Sequence, residues 1–120
     1  MSITILAYKN INPKIDKSVL LCDGVRIIGD VEIGRDSSVW YNCVIRGDVN
    51  YIRIGERTNI QDVSMLHVTN QRFPLIIGNG VSIAHSVALH GAVLKDNILV
   101  GIGAIVLDGA LINSNSIIAA

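Results

Sequence analysis

The chain carries three histidines, His67, His85 and His90. Imidazole binds metals and exchanges protons near neutral pH, so the chemistry open to these rings depends on where each one points. An apolar ladder settles that. It runs Ile15, Leu21, Ile27, Ile33, Val39, Ile45, then restarts at Ile54, Ile60, Leu66. Further runs are Ile77, Ile83, Leu89 and Leu94, Val100, Val106, Ile112, Ile118. Within each run the spacing is six, the hexapeptide signature of a parallel β-helix in which each hexapeptide is one strand plus a turn and three make a coil. An amphipathic α-helix would need a period of 3.6, which is absent.

A second mark falls four residues after each apolar position, at Val25, Val31, Ser37, Cys43, Thr58, Ser64, Val81, Val87, Val93, Ile98 and Ala104 among others. Small or β-branched residues there suit a strand facing a narrow core. Gly34, Gly55, Gly78 and Gly101 directly follow ladder positions, where a corner without a Cβ is expected.

Coil arithmetic places the histidines. Residues one coil apart stack about 4.8 Å from each other. Ile45, Leu66 and Leu89 each close a coil, so the residues after them, Arg46, His67 and His90, should form a column on one edge. Ile60 and Ile83 sit mid-coil, and two residues on from each come Asp62 and His85, a second column on a different edge. His67 and His90 can therefore share a metal ion within one chain. A third histidine ligand would have to be His85 of a neighbouring chain, which three chains around a threefold axis supply in closed symmetry.

The motifs Val39-Trp40-Tyr41, Arg46-Gly47-Asp48, Asn59-Ile60-Gln61-Asp62, Leu66-His67, Ala84-His85 and Leu89-His90-Gly91 resemble, in kind and spacing, those of the γ-class carbonic anhydrase family of hexapeptide-repeat proteins. The match runs from about Ile15 to Ala110. The resemblance implies an all-β, left-handed parallel β-helix and a homotrimer with a metal held by three histidines across each subunit interface. The metal would most simply be zinc, with iron or cobalt as alternatives on a three-histidine site. Its implied chemistry is hydration of carbon dioxide to bicarbonate by metal-activated water. Carried over by position, Gln61 contacts that water, Asp62 is a nearby orienting carboxylate that could also pair with Arg46, and Asn59 hydrogen-bonds in the same shell. Arg46 and Asp48 match the family's interface ion pair, with Arg46 expected to reach a carboxylate of the neighbour.

Two departures bear on activity. The family's best-studied members carry glutamates just after the Arg-x-Asp triplet and shortly after the first histidine, where this chain has Val49 and Asn70. Neither transfers protons at neutral pH, so the proton path looks incomplete. The chain also stops at Ala120, mid-coil, where relatives continue into a helix packed along the coils; that helix is absent from this sequence. Two other readings stand beside a hydratase. One is a hexapeptide acyltransferase or thioesterase, which needs one histidine as a free base. The other is a non-catalytic, metal-stabilised assembly module.

Length and composition agree with one compact repeat domain over residues 1–120. Half of the residues are hydrophobic but only 4% are aromatic, which suits a thin aliphatic core. Ten basic residues balance ten acidic ones, and no basic patch suggests nucleic acid. The apolar run from Ile98 to Leu107 is too short to span a bilayer. With no recognisable leader peptide and only Cys22 and Cys43, set on different coils and not expected to bridge, the cytoplasm is the expected compartment. Two segments break the ladder: Arg46 to Arg53 adds three residues, and Val68 to Ile76 forms a longer loop after His67. Both fall beside the histidine column.

Overall fold

Alternation of side chains along each strand sends every ladder residue inward, and this decides the architecture. The computed structural model describes residues 2–120. Those residues form sixteen short strands and no helix. The strands pair in parallel from coil to coil, building a left-handed β-helix of about six turns. Parallel crossovers are almost always right-handed, so this hand marks the repeat architecture rather than a general rule.

Three faces result. The second face stacks Leu20–Leu21, Ser38–Val39, Asn59–Ile60, Ser82–Ile83, Leu99–Val100 and Ile117–Ile118. The first and third faces are joined because Arg26–Ile33 and Val44–Ile54 each bend round a corner and contribute to both. On the first face the rungs continue through Met65–His67, Ala88–His90 and Ile105–Val106, and on the third through Leu75–Ile77, Val93–Leu94 and Leu111–Ile112. An N-terminal strand, Thr4–Leu6, adds a rung below Arg26–Ile33, ahead of the first residue of the ladder.

The ladder is the core. Ile27, Val39, Ile45, Ile60, Leu66, Ile83, Leu89 and Val100 have no exposed surface. Between them sit the small positions, of which Ser37, Thr58 and Ser64 are buried and polar. Their hydroxyls donate to carbonyls of the next coil, at 2.8 Å to Gly55, 2.8 Å to Gly78 and 3.0 Å to Ala84. One expected inward position moves. Ala92 is fully buried while Val93 faces outward. The corner between Leu89 and Leu94 is one residue short of the hexapeptide, so counting four from Leu89 lands on the wrong side of the pleat. Both cysteines are buried and free.

The two insertions are where the ladder breaks. Gly29 pairs with Gly47 and Val31 with Ile52, so the two-step partner segment faces five steps and three residues bulge out beside Arg46. The loop after Val68 is closed by a bridge between Thr69 and Phe73.

Corners need two kinds of residue. A Cβ on Gly55 would sit 2.5 Å from the Gly78 carbonyl oxygen, so close stacking of coils demands glycine there. Other corners place a residue at positive φ, and Val63 does so at φ 64. A β-branched side chain in that region is strained by roughly 1–2 kcal/mol, and Val63 is 60% exposed, so no packing offsets the cost. Val63→Asn should therefore raise stability by about 1 kcal/mol, read as a higher urea midpoint at unchanged slope.

Candidate metal centre

Strands Met65–His67 and Ala88–His90 pair in register, with His67 opposite His90. Leu66 and Leu89, fully buried, lock that register from inside. The two rings meet edge to face with centroids 5.0 Å apart, and His67 Nδ1 lies 3.1 Å from His90 Nε2. Each outer nitrogen is taken by a carboxylate. His67 Nε2 is 2.9 Å from Asp48 Oδ1, and His90 Nδ1 is 2.6 Å from Asp108 Oδ1.

The protonation follows from the carboxylates. Burial pushes the Asp48 carboxyl up, but hydrogen bonds from His67, Arg46 and the Val49 N–H outweigh it and hold it below the usual range. The Thr69 hydroxyl and then His90 do the same for Asp108. Both are ionised at neutral pH and can only accept, so each ring's N–H belongs on its outer nitrogen. With both rings in the neutral form, the inner nitrogens, His67 Nδ1 and His90 Nε2, present two lone pairs to each other. That arrangement asks for a cation between them. Two imidazole nitrogens on one tetrahedral zinc, each at ~2.0–2.1 Å, sit about 3.3–3.4 Å apart, close to the separation seen. A histidine whose other nitrogen is fixed by a carboxylate is also the usual form of a metal ligand, so the donor set fits a divalent ion.

Arg46 stacks beside this pair, and within its own chain it has a partner. It forms an ion pair with Asp48 of its own chain. Residues two apart on a strand share a face, which makes Asp48 the nearest carboxylate. The guanidinium charge is thereby neutralised next to the nitrogens it would otherwise make repellent to a cation.

His85 lies on the other edge. Asn59–Ile60 and Ser82–Ile83 pair in register, which brings Asp62 beneath His85, and His85 Nδ1 is 3.1 Å from Asp62 Oδ1. Asp62 is thus committed to the histidine and does not pair with Arg46. His85 is half exposed, with Nε2 left over. Beside it a pocket of about 380 Å³ is lined by Ser38, Trp40, Asn59, Gln61, Asp62 and His85. Its polar wall is hydrogen-bonded: Gln61 Nε2 donates to Asn59 Oδ1 at 2.9 Å and Asn59 Nδ2 to Ser82 Oγ at 2.9 Å, while Trp40 Nε1 separately donates to Ser38 Oγ at 2.9 Å. Among the described residues no group of three histidine, cysteine or acidic side chains gathers within one chain to hold an ion. The two halves of a three-histidine set face different edges.

Val49 and Asn70 lie at the rim, on the bulge and the loop, both exposed. Sequence reading missed Asp108, Thr69, Ser38 and Ser82. Ser38 and Ser82 could have been found, since they stack with Asn59 in the outward register. Asp108 could not, because strict coil counting puts Leu107 rather than Asp108 after Val106, the rung above Leu89. Arg46→Ala leaves mostly buried Asp48 with only His67 and the Val49 N–H. Loss of that charged hydrogen bond should cost about 1.5–3 kcal/mol, measured by chemical denaturation at neutral pH.

No protein-family model matches the chain. It is 49% identical over 106 residues to the carbonic anhydrase of Geobacillus kaustophilus, covering 88% of this chain and 58% of that protein. It is 44% identical over 113 residues to the mitochondrial gamma carbonic anhydrase 1 of Arabidopsis thaliana, covering 90% of this chain and 41% of that one. The chain thus spans roughly half the length of these relatives. A crystal structure of a Bacillus cereus protein, provisionally called an acetyltransferase, superposes with a TM-score of 0.86 at 39% identity, covering 99% of this chain and 76% of that chain.

Proposed function

Because the chain belongs to the γ-class carbonic anhydrase-like family of hexapeptide-repeat proteins, we propose that it builds an intersubunit metal site for hydration of carbon dioxide to bicarbonate. In this reading His67 and His90 of one chain and His85 of its neighbour hold the ion, within a homotrimer. Zinc is the first choice, with iron or cobalt compatible with three imidazoles. The observation that carries it is the approach of His67 Nδ1 to His90 Nε2, 3.1 Å apart, with each outer nitrogen held by a carboxylate. A divalent ion bound there supplies Lewis acidity and brings the pKa of a water at an open position toward neutrality.

The chain's own residues do the rest. Asp48 and Asp62 orient His67 and His85. Asn59 takes the Nε2 donor of Gln61, which leaves the Gln61 carbonyl free to accept from a water. The pocket beside His85 has ample room for a molecule as small as carbon dioxide. The Arg46–Asp48 pair is placed at the subunit interface, where it keeps the His67 edge neutral for docking. No nucleic acid or membrane partner enters this reading, and the cytoplasm is its default compartment, in keeping with two free buried thiols.

One observation favours a second reading. His85 with Asp62 forms a half-exposed dyad on a pocket, which suits a general base, and the Bacillus cereus neighbour carries an acetyltransferase name. An acyltransferase or thioesterase of this kind would keep His85 free of metal. A non-catalytic assembly module would bind metal and hydrate nothing.

Purified protein should carry close to one divalent ion per chain by elemental analysis, and protein expressed with zinc or iron present yet free of metal would point to the acyltransfer reading. Hydration should be slow. A positioned proton shuttle contributes typically about 10²–10⁴-fold, and Val49 and Asn70 cannot act as one. Stopped-flow rates should climb with buffer concentration, since buffer replaces the shuttle; fast turnover independent of buffer would contradict this.

A further inference from the structure

Each histidine has a carboxylate of its own, and two of the three come from the rung below. Asp48 and Asp62 precede their histidines by 19 and 23 residues. Asp108 follows His90 by 18 residues and reaches back from the next coil. Its two oxygens do different things. Oδ1 takes His90 Nδ1 at 2.6 Å, and Oδ2 accepts from the Thr69 hydroxyl at 2.5 Å.

Thr69 starts the loop inserted after His67. Its carbonyl accepts from Phe73 N at 3.2 Å and from Asn50 Nδ2 at 3.1 Å, so the loop and the bulge after Asp48 are tied together at this residue. The backbone makes room for the contact. Gly91 has φ +56, and a Cβ there would lie 2.3 Å from Asp108 Oδ1 and 2.7 Å from Phe73 Cβ. Gly109, with its Cβ position 3.4 Å from the Phe73 ring, flanks the same contact. Both insertions thus converge on one carboxylate, and that carboxylate converges on one ring nitrogen.

We propose that Asp108 is a positioning residue that sets the tautomer and orientation of His90 and, through Thr69, ties the loop Thr69–Phe73 to that ring. The inference rests on the reading of His90 as a metal ligand for its consequence, but not for its geometry. With Nδ1–H held by Asp108, Nε2 is the nitrogen turned to His67. Without it the ring can rotate, and free imidazole favours the proton on Nε2, which would block that position. The loop then gains a direct link to the ion: ordering Thr69 orders His90.

The test uses the full-length chain labelled with ¹⁵N-histidine, first free of metal and then titrated with Zn²⁺ against a competing chelator. In the wild type His90 should show the Nδ1–H tautomer. Asp108→Ala should move it toward Nε2–H and weaken zinc binding about 10–100-fold. Thr69→Val should weaken binding by less, in the same direction. Asp96→Ala is the control, since Asp96 holds only the Asn79 N–H at a corner, at 2.8 Å, and should leave affinity unchanged. If Asp108→Ala does not fold, Asp108→Asn takes its place, keeping an acceptor oxygen but losing the charge, with intermediate weakening expected. An unchanged His90 tautomer with unchanged zinc affinity in the Asp108 variants overturns the proposal. A wild type that binds no zinc, with the tautomer still switching on Asp108→Ala, overturns the metal reading and supports the positioning role.

Discussion

Vertical register is the constraint on which everything else in this molecule rests. Rungs in a parallel β-helix pair one above another, and here Leu66 lies over Leu89 because both side chains fill the same slot in a dry core. A slip by one residue would turn every buried Ile, Val and Leu outward. The penalty would be roughly 1.5–3 kcal/mol for each large aliphatic side chain exposed. Register is thus held by the whole ladder, and His67 and His90 inherit it. Their ring nitrogens meet at 3.1 Å with no flexible loop needed to bring them there. Sites built on rigid elements hold their geometry better than sites built on loops.

Electrostatics then decides what the meeting is for. Two neutral imidazoles would normally share a proton, one donating and one accepting. Asp48 and Asp108 take up the outer nitrogen of each ring, which favours the N–H there in the neutral rings. Arg46, which would otherwise repel a cation, spends its charge on Asp48. In the proposed site the carboxylates would make the stacked histidine pair a bidentate electron-pair donor. His85 is tied to Asp62 on a separate edge, and in the proposed site it would complete the set only when a second chain brings that edge across. The same division explains why a polar pocket with Gln61 and Asn59 lies with His85 and not with the histidine pair.

Much of this was readable in the residues. The six-residue ladder predicted the parallel coils, and stacking arithmetic placed His67 on His90 and Asp62 under His85. It worked because burial enforces the period over many coils at once. Reading failed where the period fails. Val93 was assigned inward because the corner after Leu89 is short, and the N-terminal rung Thr4–Leu6 was missed because it carries no repeat. Asp108 was invisible for a different reason. Its contact with His90 depends on the left-handed turn at Gly91 and on Thr69 from a loop of irregular length, and neither follows from a count along the chain.

The central claim is that one metal site is divided between two edges of the fold and completed by a neighbour. Co-expression tests it directly. One chain carries His85→Ala, the other His67→Ala with His90→Ala, and metal content is measured in each homo-oligomer and in the purified mixed assembly. The account predicts that neither homo-oligomer holds zinc, while mixed assemblies recover it, because one chain's His67 and His90 face the other's His85. Zinc retained at full content by the His85→Ala chain alone, or none recovered on mixing, would contradict it.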